Sequence, residues 1–166
     1  MTELVFEDQR VGVFVDVQNM YYSARNLYNG KVDFEALLGE AGKGRKLVRA
    51  FAYAIESDTP GDESFFELLE GLGYEVKKKE LKVYYGGAKK GDWDMGIAID
   101  AMKMASKLDV VVLVTGDGDF SALVEHLKAN GVKVEVIAFS ESASKELIDV
   151  ANEFVDMSED KRKYLM

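Results

Sequence analysis

Acidic side chains follow two apolar runs of this sequence at the point where each run ends. Asp16 ends the first run and Asn19 follows it, while Asp117 and Asp119 lie in a Gly-Asp-Gly-Asp segment after another run. Ligands of doubly wound sheets bind at the carboxyl ends of parallel strands, and carboxylates gathered there repel one another unless a cation or shared protons offset them. Each aspartate also suits a helix cap or a turn. Because both strand ends are acidic, we favour a metal site.

A third acidic segment opens a predicted helix at residues 94–107. Asp94 falls in its first turn, where the helix dipole favours an anion whether or not a metal is present. Asp100 lies about 120° around the same helix and has Lys103 three residues further on. We therefore expect Asp100 to support the site from outside the ligand set, or to form a surface ion pair.

The composition restricts the chemistry of such a site. The chain has 166 residues, no cysteine and a single histidine, so thiolate and histidine metal sites are excluded and oxygen ligands remain. Oxygen ligands favour Mg²⁺ or Mn²⁺. A P-loop sequence is absent, and the carboxylates at residues 116–119 would repel a dinucleotide's pyrophosphate. An aspartyl-phosphate phosphatase would need two aspartates after the first strand, where only Asp16 is present.

Alternating apolar and amphipathic segments predict the fold class. Buried strands are predicted at residues 11–17, 47–55, 74–81, 110–115, 132–139 and 154–157. Helices are predicted at residues 20–28, 34–38, 63–72, 94–107, 120–130 and 144–150. The alternation indicates βαβ units, and hence a three-layer α/β/α sandwich with a mostly parallel sheet. We expect one domain at residues 1–157 and a tail at residues 158–166, either frayed or a short helix.

The charge distribution bears on partners and location. A net charge of −9 argues against a general polyanion binder, yet Tyr84, Tyr85, Lys89 and Lys90 interleave rings and cations in a way that suits single-stranded nucleic acid. A solvated hairpin is the slightly favoured alternative for that segment. The sequence starts without a signal-peptide pattern, and no apolar run reaches membrane-spanning length, so we expect a cytoplasmic protein without membrane contact.

Three separated motifs together resemble one family. Val-Phe-Val-Asp16-Val-Gln-Asn19, then Lys90-Gly-Asp-Trp-Asp94, then Thr115-Gly-Asp117-Gly-Asp119 occur in the order found in the NYN domain, a branch of the PIN-like, Rossmann-like nuclease fold. The nearest match is its LabA-like group, and the resemblance covers about residues 10 to 157. One departure is the Asp-Trp-Asp sequence, where relatives often have a single aspartate after an apolar residue; the spacing to residue 100 favours Asp94.

The resemblance implies a metal-dependent ribonuclease, a hydrolase that acts on single-stranded or structured RNA. The implied site residues are Asp16, Asp94 and Asp117 as ligands of Mg²⁺ or Mn²⁺, Asp119 as a fourth carboxylate, Asn19 to orient the phosphate or a metal-bound water, and Thr115 and Asp100 as supporting residues. Tyr84, Tyr85, Lys89 and Lys90 would contact the RNA. We expect an endoribonuclease, although internal and terminal cleavage both fit the sequence.

Two other functions remain open at this point. One is an RNA- or protein-binding regulatory module that keeps the fold and the acidic pocket but turns over little or nothing. The other is a metal-dependent phosphatase that acts on small molecules. Each of these functions is compatible with a homo-oligomer, and the sequence does not disclose the oligomeric state.

Overall fold

The computed structural model describes residues 6–57, 60–80, 82–83, 89–90 and 92–166. Within these ranges, six parallel strands form the main sheet, and two short antiparallel strands form a separate pair. The main strands are β1 (Arg10–Asp16), β2 (Lys46–Glu56), β3 (Glu75–Glu80), β6 (Val110–Val114), β7 (Lys133–Ala138) and β8 (Glu153–Asp156), and the short pair is β4 (Lys82–Val83) and β5 (Lys89–Lys90).

Helices cover both faces of the sheet. They are α1 (Val17–Tyr28), α2 (Phe34–Gly42), α3 (Asp62–Leu72), α4 (Asp94–Met104), α5 (Ser121–Ala129), α6 (Lys145–Val150) and α7 (Lys161–Tyr164). Apolar side chains of α1, α2, α3 and α7 form one core cluster with the sheet, and those of α4, α5 and α6 form a second cluster on the other face. Because both faces are covered, the central strands are apolar throughout, as β6 (Val-Val-Val-Leu-Val) shows. The prediction of a three-layer α/β/α sandwich is confirmed.

The strand order places a cleft beside β1. The sheet runs β3-β2-β1-β6-β7-β8, so the chain moves outward in one direction from β1 and returns to add β6 on its other side. This reversal is the topological switch point of a doubly wound sheet, where the connecting loops part and ligands bind. Val15 on β1 pairs with Val114 on β6. Asp16, the next residue on β1, therefore lies close to the turn that begins at Thr115.

Element boundaries shift where side chains cap helices. Helix α1 begins at Val17 and not at residue 20, because the Asp16 carboxylate accepts a hydrogen bond from the backbone N–H of Asn19 and caps the first turn. The predicted helix 94–107 ends at Met104 and continues as a 3₁₀ turn, Ala105–Lys107. Of the two alternatives for the tail, the structure shows the short helix: α7 buries Tyr164 against the first core cluster.

One buried ion pair joins the two halves of the sheet. Both amino nitrogens of Arg45, just before β2, contact the carboxylate of Glu135 on β7, at 2.7 and 3.0 Å. The Arg45 and Glu135 side chains are only 5% and 8% exposed. Burial alone would raise the pKa of Glu135, but Arg45 and then Lys133 hold it below its ordinary value.

Removal of one partner of this pair is expected to destabilise the protein. Arg45→Ala removes the bidentate partner of the buried Glu135 carboxylate and leaves Lys133 at 3.2 Å as its remaining cation. Loss of a buried partner costs about 3–5 kcal/mol when no cation remains, so we expect a loss below this range. The free energy of unfolding in urea measures the loss. Arg10→Ala is the matched control, because it breaks an arginine–carboxylate pair with Asp109 that lies at the surface, and it should change stability far less. Equal losses in both variants would contradict the assignment.

Candidate metal centre

Three carboxylates from two parts of the chain meet at the switch point. Asp94 is the first residue of α4, and Asp117 and Asp119 lie in and beside the 3₁₀ turn Gly118–Phe120 after β6. One carboxylate oxygen from each lies within 4.8 Å of the others, a spacing that allows all three to bind one metal ion. Asp94 and Asp117 are half-buried and Asp119 is exposed. The cluster therefore opens to solvent on one side, as a substrate site must.

Asp16 lies beside this group at the end of β1, outside the three residues that share the 4.8 Å spacing. Its side chain is buried, with 8% of the residue exposed. One oxygen accepts from the backbone N–H of Asn19 and the other from the Thr115 hydroxyl, both at 3.2 Å. Burial raises the pKa of Asp16 to about 6 although these hydrogen bonds lower it, and the nearby charges of Asp117 and Asp92 add to the rise.

The turn that carries Asp117 is held from two sides. The backbone N–H of Gly116 donates to the Asn19 side-chain oxygen at 2.9 Å, and that of Asp117 donates to the Thr115 hydroxyl at 3.2 Å. Asp117 in turn accepts from the backbone N–H of Asp119 at 2.9 Å. Asn19 and Thr115 thus connect the end of β1 to the turn after β6. They fix the distance between the carboxylates of Asp16 and Asp117.

Two glycines let this turn pack against the start of α6. A Cβ at Gly118 would lie 2.7 Å from the Ser144 hydroxyl oxygen, and a Cβ at Gly116 would lie 3.0 Å from the backbone of Ala143. The N–H of Ser144 donates to the Gly116 carbonyl at 2.9 Å. The glycines of the Gly-Asp-Gly-Asp sequence are therefore favoured by close packing against the segment before α6.

The charges of the cluster repel one another. The pKa of Asp94 rises to about 7, first because of burial, then because of its hydrogen bond to Asp117, and then through the charges of Asp117, Asp16 and Asp92. Asp92 is exposed and accepts from the backbone N–H of Asp94 at 3.2 Å, which holds the start of α4. A bound cation offsets the repulsion between carboxylates whose pKa values are raised in this way. A set of oxygen ligands alone fits Mg²⁺ or Mn²⁺.

Asp100 points away from the three-carboxylate group. It accepts from the Tyr53 hydroxyl at 2.9 Å and from the Lys77 ammonium at 2.6 Å. Burial alone would raise the pKa of Asp100, but these two groups lower it. Its ion-pair partner is therefore Lys77 on β3, where the sequence suggested Lys103. Asp100 ties α4 to β2 and β3 and thereby fixes the helix that carries Asp94.

The start of α4 has a second anchor that sequence reasoning missed. The indole N–H of Trp93 donates to the carbonyl of Ala54 on β2 at 2.8 Å, and its ring packs on that of the buried Tyr53. Gly96 lets the ring lie across the helix, since a Cβ there would meet the ring at 2.5 Å. The sequence signal for this anchor was Trp93-Asp94-Met95-Gly96, in which the only tryptophan of the chain lies three residues before a glycine.

The proposed RNA contacts fall in the segment between β3 and α4. Tyr84 and Tyr85 lie outside the described residues, as do the side chains of Lys89 and Lys90, whose backbone forms β5. A different aromatic pair is described and was missed. Tyr21 and Tyr22 follow Asn19 on α1, are about half exposed, and meet edge to face at 5.3 Å. Their position within one turn of Asn19 was the signal.

Fold and site together define a doubly wound α/β protein with an acidic centre at its switch point. A family model for the NYN domain matches residues 10–158. The chain therefore belongs to the NYN domain family, part of the PIN-like nuclease superfamily, and the predicted resemblance is confirmed.

Two relatives illustrate the similarity. Low amplitude and bright protein LabA of Synechococcus elongatus is 27% identical over 174 residues, which cover 94% of this chain and 88% of that protein. A crystal structure of a protein of unknown function from Vibrio parahaemolyticus is similar with a TM-score of 0.88 and 37% identity, covering 99% of this chain and 100% of that one. In the part of the chain that is described, no helix is both long enough and apolar enough to span a membrane.

The raised pKa of Asp16 predicts how stability depends on pH when metal is removed. Between its ordinary value of 3.8 and its folded value of about 6, the folded protein binds more protons than the unfolded chain. The free energy of unfolding is therefore highest below pH 4 as far as Asp16 is concerned, and this contribution is lost as pH rises through 6, by about 3 kcal/mol.

Asp16→Asn should remove this loss and make the free energy of unfolding in EDTA fall less from pH 4.5 to pH 8. The asparagine oxygen can still accept from Asn19, and its NH₂ can donate to Thr115. Urea unfolding at the two pH values measures the difference. Asp149→Asn, at an exposed position of α6, removes the same formal charge and should leave the pH dependence as in the wild type. A wild-type pH dependence in Asp16→Asn would refute the prediction.

Proposed function

We propose that this protein is a metal-dependent ribonuclease that hydrolyses phosphodiester bonds of RNA with Mg²⁺ or Mn²⁺. The observation that carries the proposal is the group formed by Asp94, Asp117 and Asp119, whose carboxylate oxygens lie within 4.8 Å of one another. It lies at the switch point of the sheet, the usual ligand site of this architecture. Membership of a PIN-like nuclease family supports the same conclusion.

The residues of the site fit a divalent metal. Asp94, Asp117 and Asp119 would hold the ion, and Asp16 would hold a second ion or a water of the first. A metal bound in this way lowers the pKa of a water and offsets charge on the scissile phosphate. Without a cation the carboxylates compete for protons, as the pKa of about 7 for Asp94 indicates. The centre is therefore suited to metal binding at neutral pH.

The residues around the carboxylates hold the geometry. Asn19 and Thr115 fix the Asp117 turn against the end of β1, and Asp100 and Trp93 fix the start of α4 on β2. In-line attack on a phosphodiester needs ligands held within a fraction of an ångström. These four residues supply that rigidity, so that the Asp16 and Asp94 carboxylates face the same reacting phosphate.

Single-stranded RNA is the substrate that the surroundings favour. Tyr21 and Tyr22 present exposed rings one turn from Asn19, and bases stack on such rings with about 1–3 kcal/mol each and little sequence preference. Tyr84, Tyr85, Lys89 and Lys90 remain part of the proposed RNA surface on the strength of the sequence. We propose internal cleavage, because the cluster opens at the edge of the sheet where a continuous strand can cross.

A binding module without turnover is the second candidate, and the charge of the chain favours it. A net charge of −9 opposes the approach of a polyanion. Such a protein would bind RNA or a partner protein while leaving RNA intact. A metal-dependent phosphatase acting on small molecules is a third possibility, distinguished by cleavage of p-nitrophenyl phosphate in the absence of RNA cleavage.

The test is Mn²⁺-dependent cleavage of labelled single-stranded RNA, in linear and circular form. Wild-type protein should cut both, because internal cleavage does not need an end. Asp117→Asn removes one anionic ligand, while its amide oxygen can still accept from the Asp119 N–H and keep the turn; we expect the rate to fall by about 100-fold or more. Loss of cleavage in EDTA and its return on addition of Mn²⁺ or Mg²⁺ should accompany this result.

The control is Asp149→Asn, purified side by side, which carries the same formal charge as Asp117→Asn and should cleave as the wild type does. Equal activity in all three proteins would indicate a contaminating nuclease or a wrong site. No activity in any of them, with RNA or protein binding retained, would favour the binding module.

A further inference from the structure

Helix α4 exposes an apolar stripe on the side opposite the sheet. Met95, Ile99 and Met102 are spaced at i, i+4 and i+7, which places them on one face, and they are 76%, 43% and 43% exposed. We call these three residues the α4 stripe. The inner face of the same helix is already filled by Ile97 and Ala101, which are fully buried in the second core cluster. The stripe is therefore not part of the monomer's core.

The two ends of the α4 stripe carry charges of opposite sign. Asp92 is exposed at the amino-terminal end, and Lys103 and Lys107 are exposed at the carboxyl-terminal end. Among the described residues, neither lysine has a carboxylate within ion-pair distance, although the charge of Lys103 helps to lower the pKa of Asp100. An antiparallel copy of the same helix would place its lysines beside this aspartate and its aspartate beside these lysines. The surface is therefore complementary to itself, as a twofold interface requires.

We propose that a second copy of this chain covers the α4 stripe, with the two α4 helices antiparallel about a twofold axis near Ile99. In this register Ile99 meets Ile99 of the second copy, and Met95 meets Met102. Lys103 and Lys107 of the second copy then lie near Asp92. Methionine and isoleucine suit such a contact because methionine is enriched at interfaces and adapts its shape to a partner.

The geometry predicts a reversible dimer. The stripe spans about 10 Å along the helix at 1.5 Å per residue, so its area falls below that of obligate dimers and is typical of weak, concentration-dependent association. The pairing has a consequence for the acidic centre. Asp92 contacts the first turn of α4 through Asp94, so the lysines of the second copy would add positive charge at the edge of the carboxylate cluster.

The test measures association directly by sedimentation equilibrium from about 5 to 500 μM. Wild-type protein should show a monomer–dimer equilibrium, and Ile99→Glu should weaken it at least 10-fold, because two carboxylates would meet on the axis. Leu68→Glu is the matched control: it places the same charge on an exposed apolar position of α3 and should associate as the wild type does. Circular dichroism and the melting temperature establish that both variants fold.

Charge exchange tests the antiparallel register. The double variant Lys103→Glu with Lys107→Glu should weaken the dimer, and the addition of Asp92→Lys should restore it, since the signs are then exchanged at both ends. A monomer at every concentration, or a dimer indifferent to Ile99→Glu, would overturn the proposal. Failure of the charge exchange to restore association would overturn the antiparallel register. None of these readouts depends on catalysis, so the outcome is independent of the proposed ribonuclease activity.

Discussion

Repulsion between carboxylates at the switch point is the constraint around which the rest of this structure is arranged. The adjacency of β1 and β6 brings Asp16 next to the turn that carries Asp117, and α4 adds Asp94. Proximity and burial raise the pKa values of Asp16 to about 6 and Asp94 to about 7. A fold that served only its own stability would not keep these groups together. The arrangement is consistent with a centre whose stable state includes a cation.

Rigid supports on both sides make this repulsion tolerable. Burial of the valine-rich strands on both faces supplies the driving force for folding, and polar contacts then set positions within it. Thr115 and Asn19 hold one side of the cleft, and Trp93 and Asp100 hold the other. Each of these side chains makes at least one hydrogen bond within the protein, and these bonds hold the elements that carry Asp16, Asp94 and Asp117.

The sequence was sufficient for elements and for local features of the site, and insufficient where distant residues meet. Strands, helices and the aspartates at strand ends follow from local periodicity and from the rule that parallel strands end at one edge. The partner of Asp100 does not follow, because Lys77 is 23 residues away on β3 and only the packing of α4 across the sheet brings them together. Tyr164 was likewise hidden among charged residues, although it packs into the core.

Several positive charges among the described residues are paired within the protein, which bears on how an acidic protein can bind a polyanion. Arg10, Arg45 and Arg49 pair with Asp109, Glu135 and Glu75 respectively. Lys77 and Lys79 lie over the rings of Phe51 and Trp93. Affinity for RNA in the proposed function would therefore depend less on a basic surface than on base stacking and on the metal, which turns the carboxylate cluster from a repulsive into an attractive feature for phosphate.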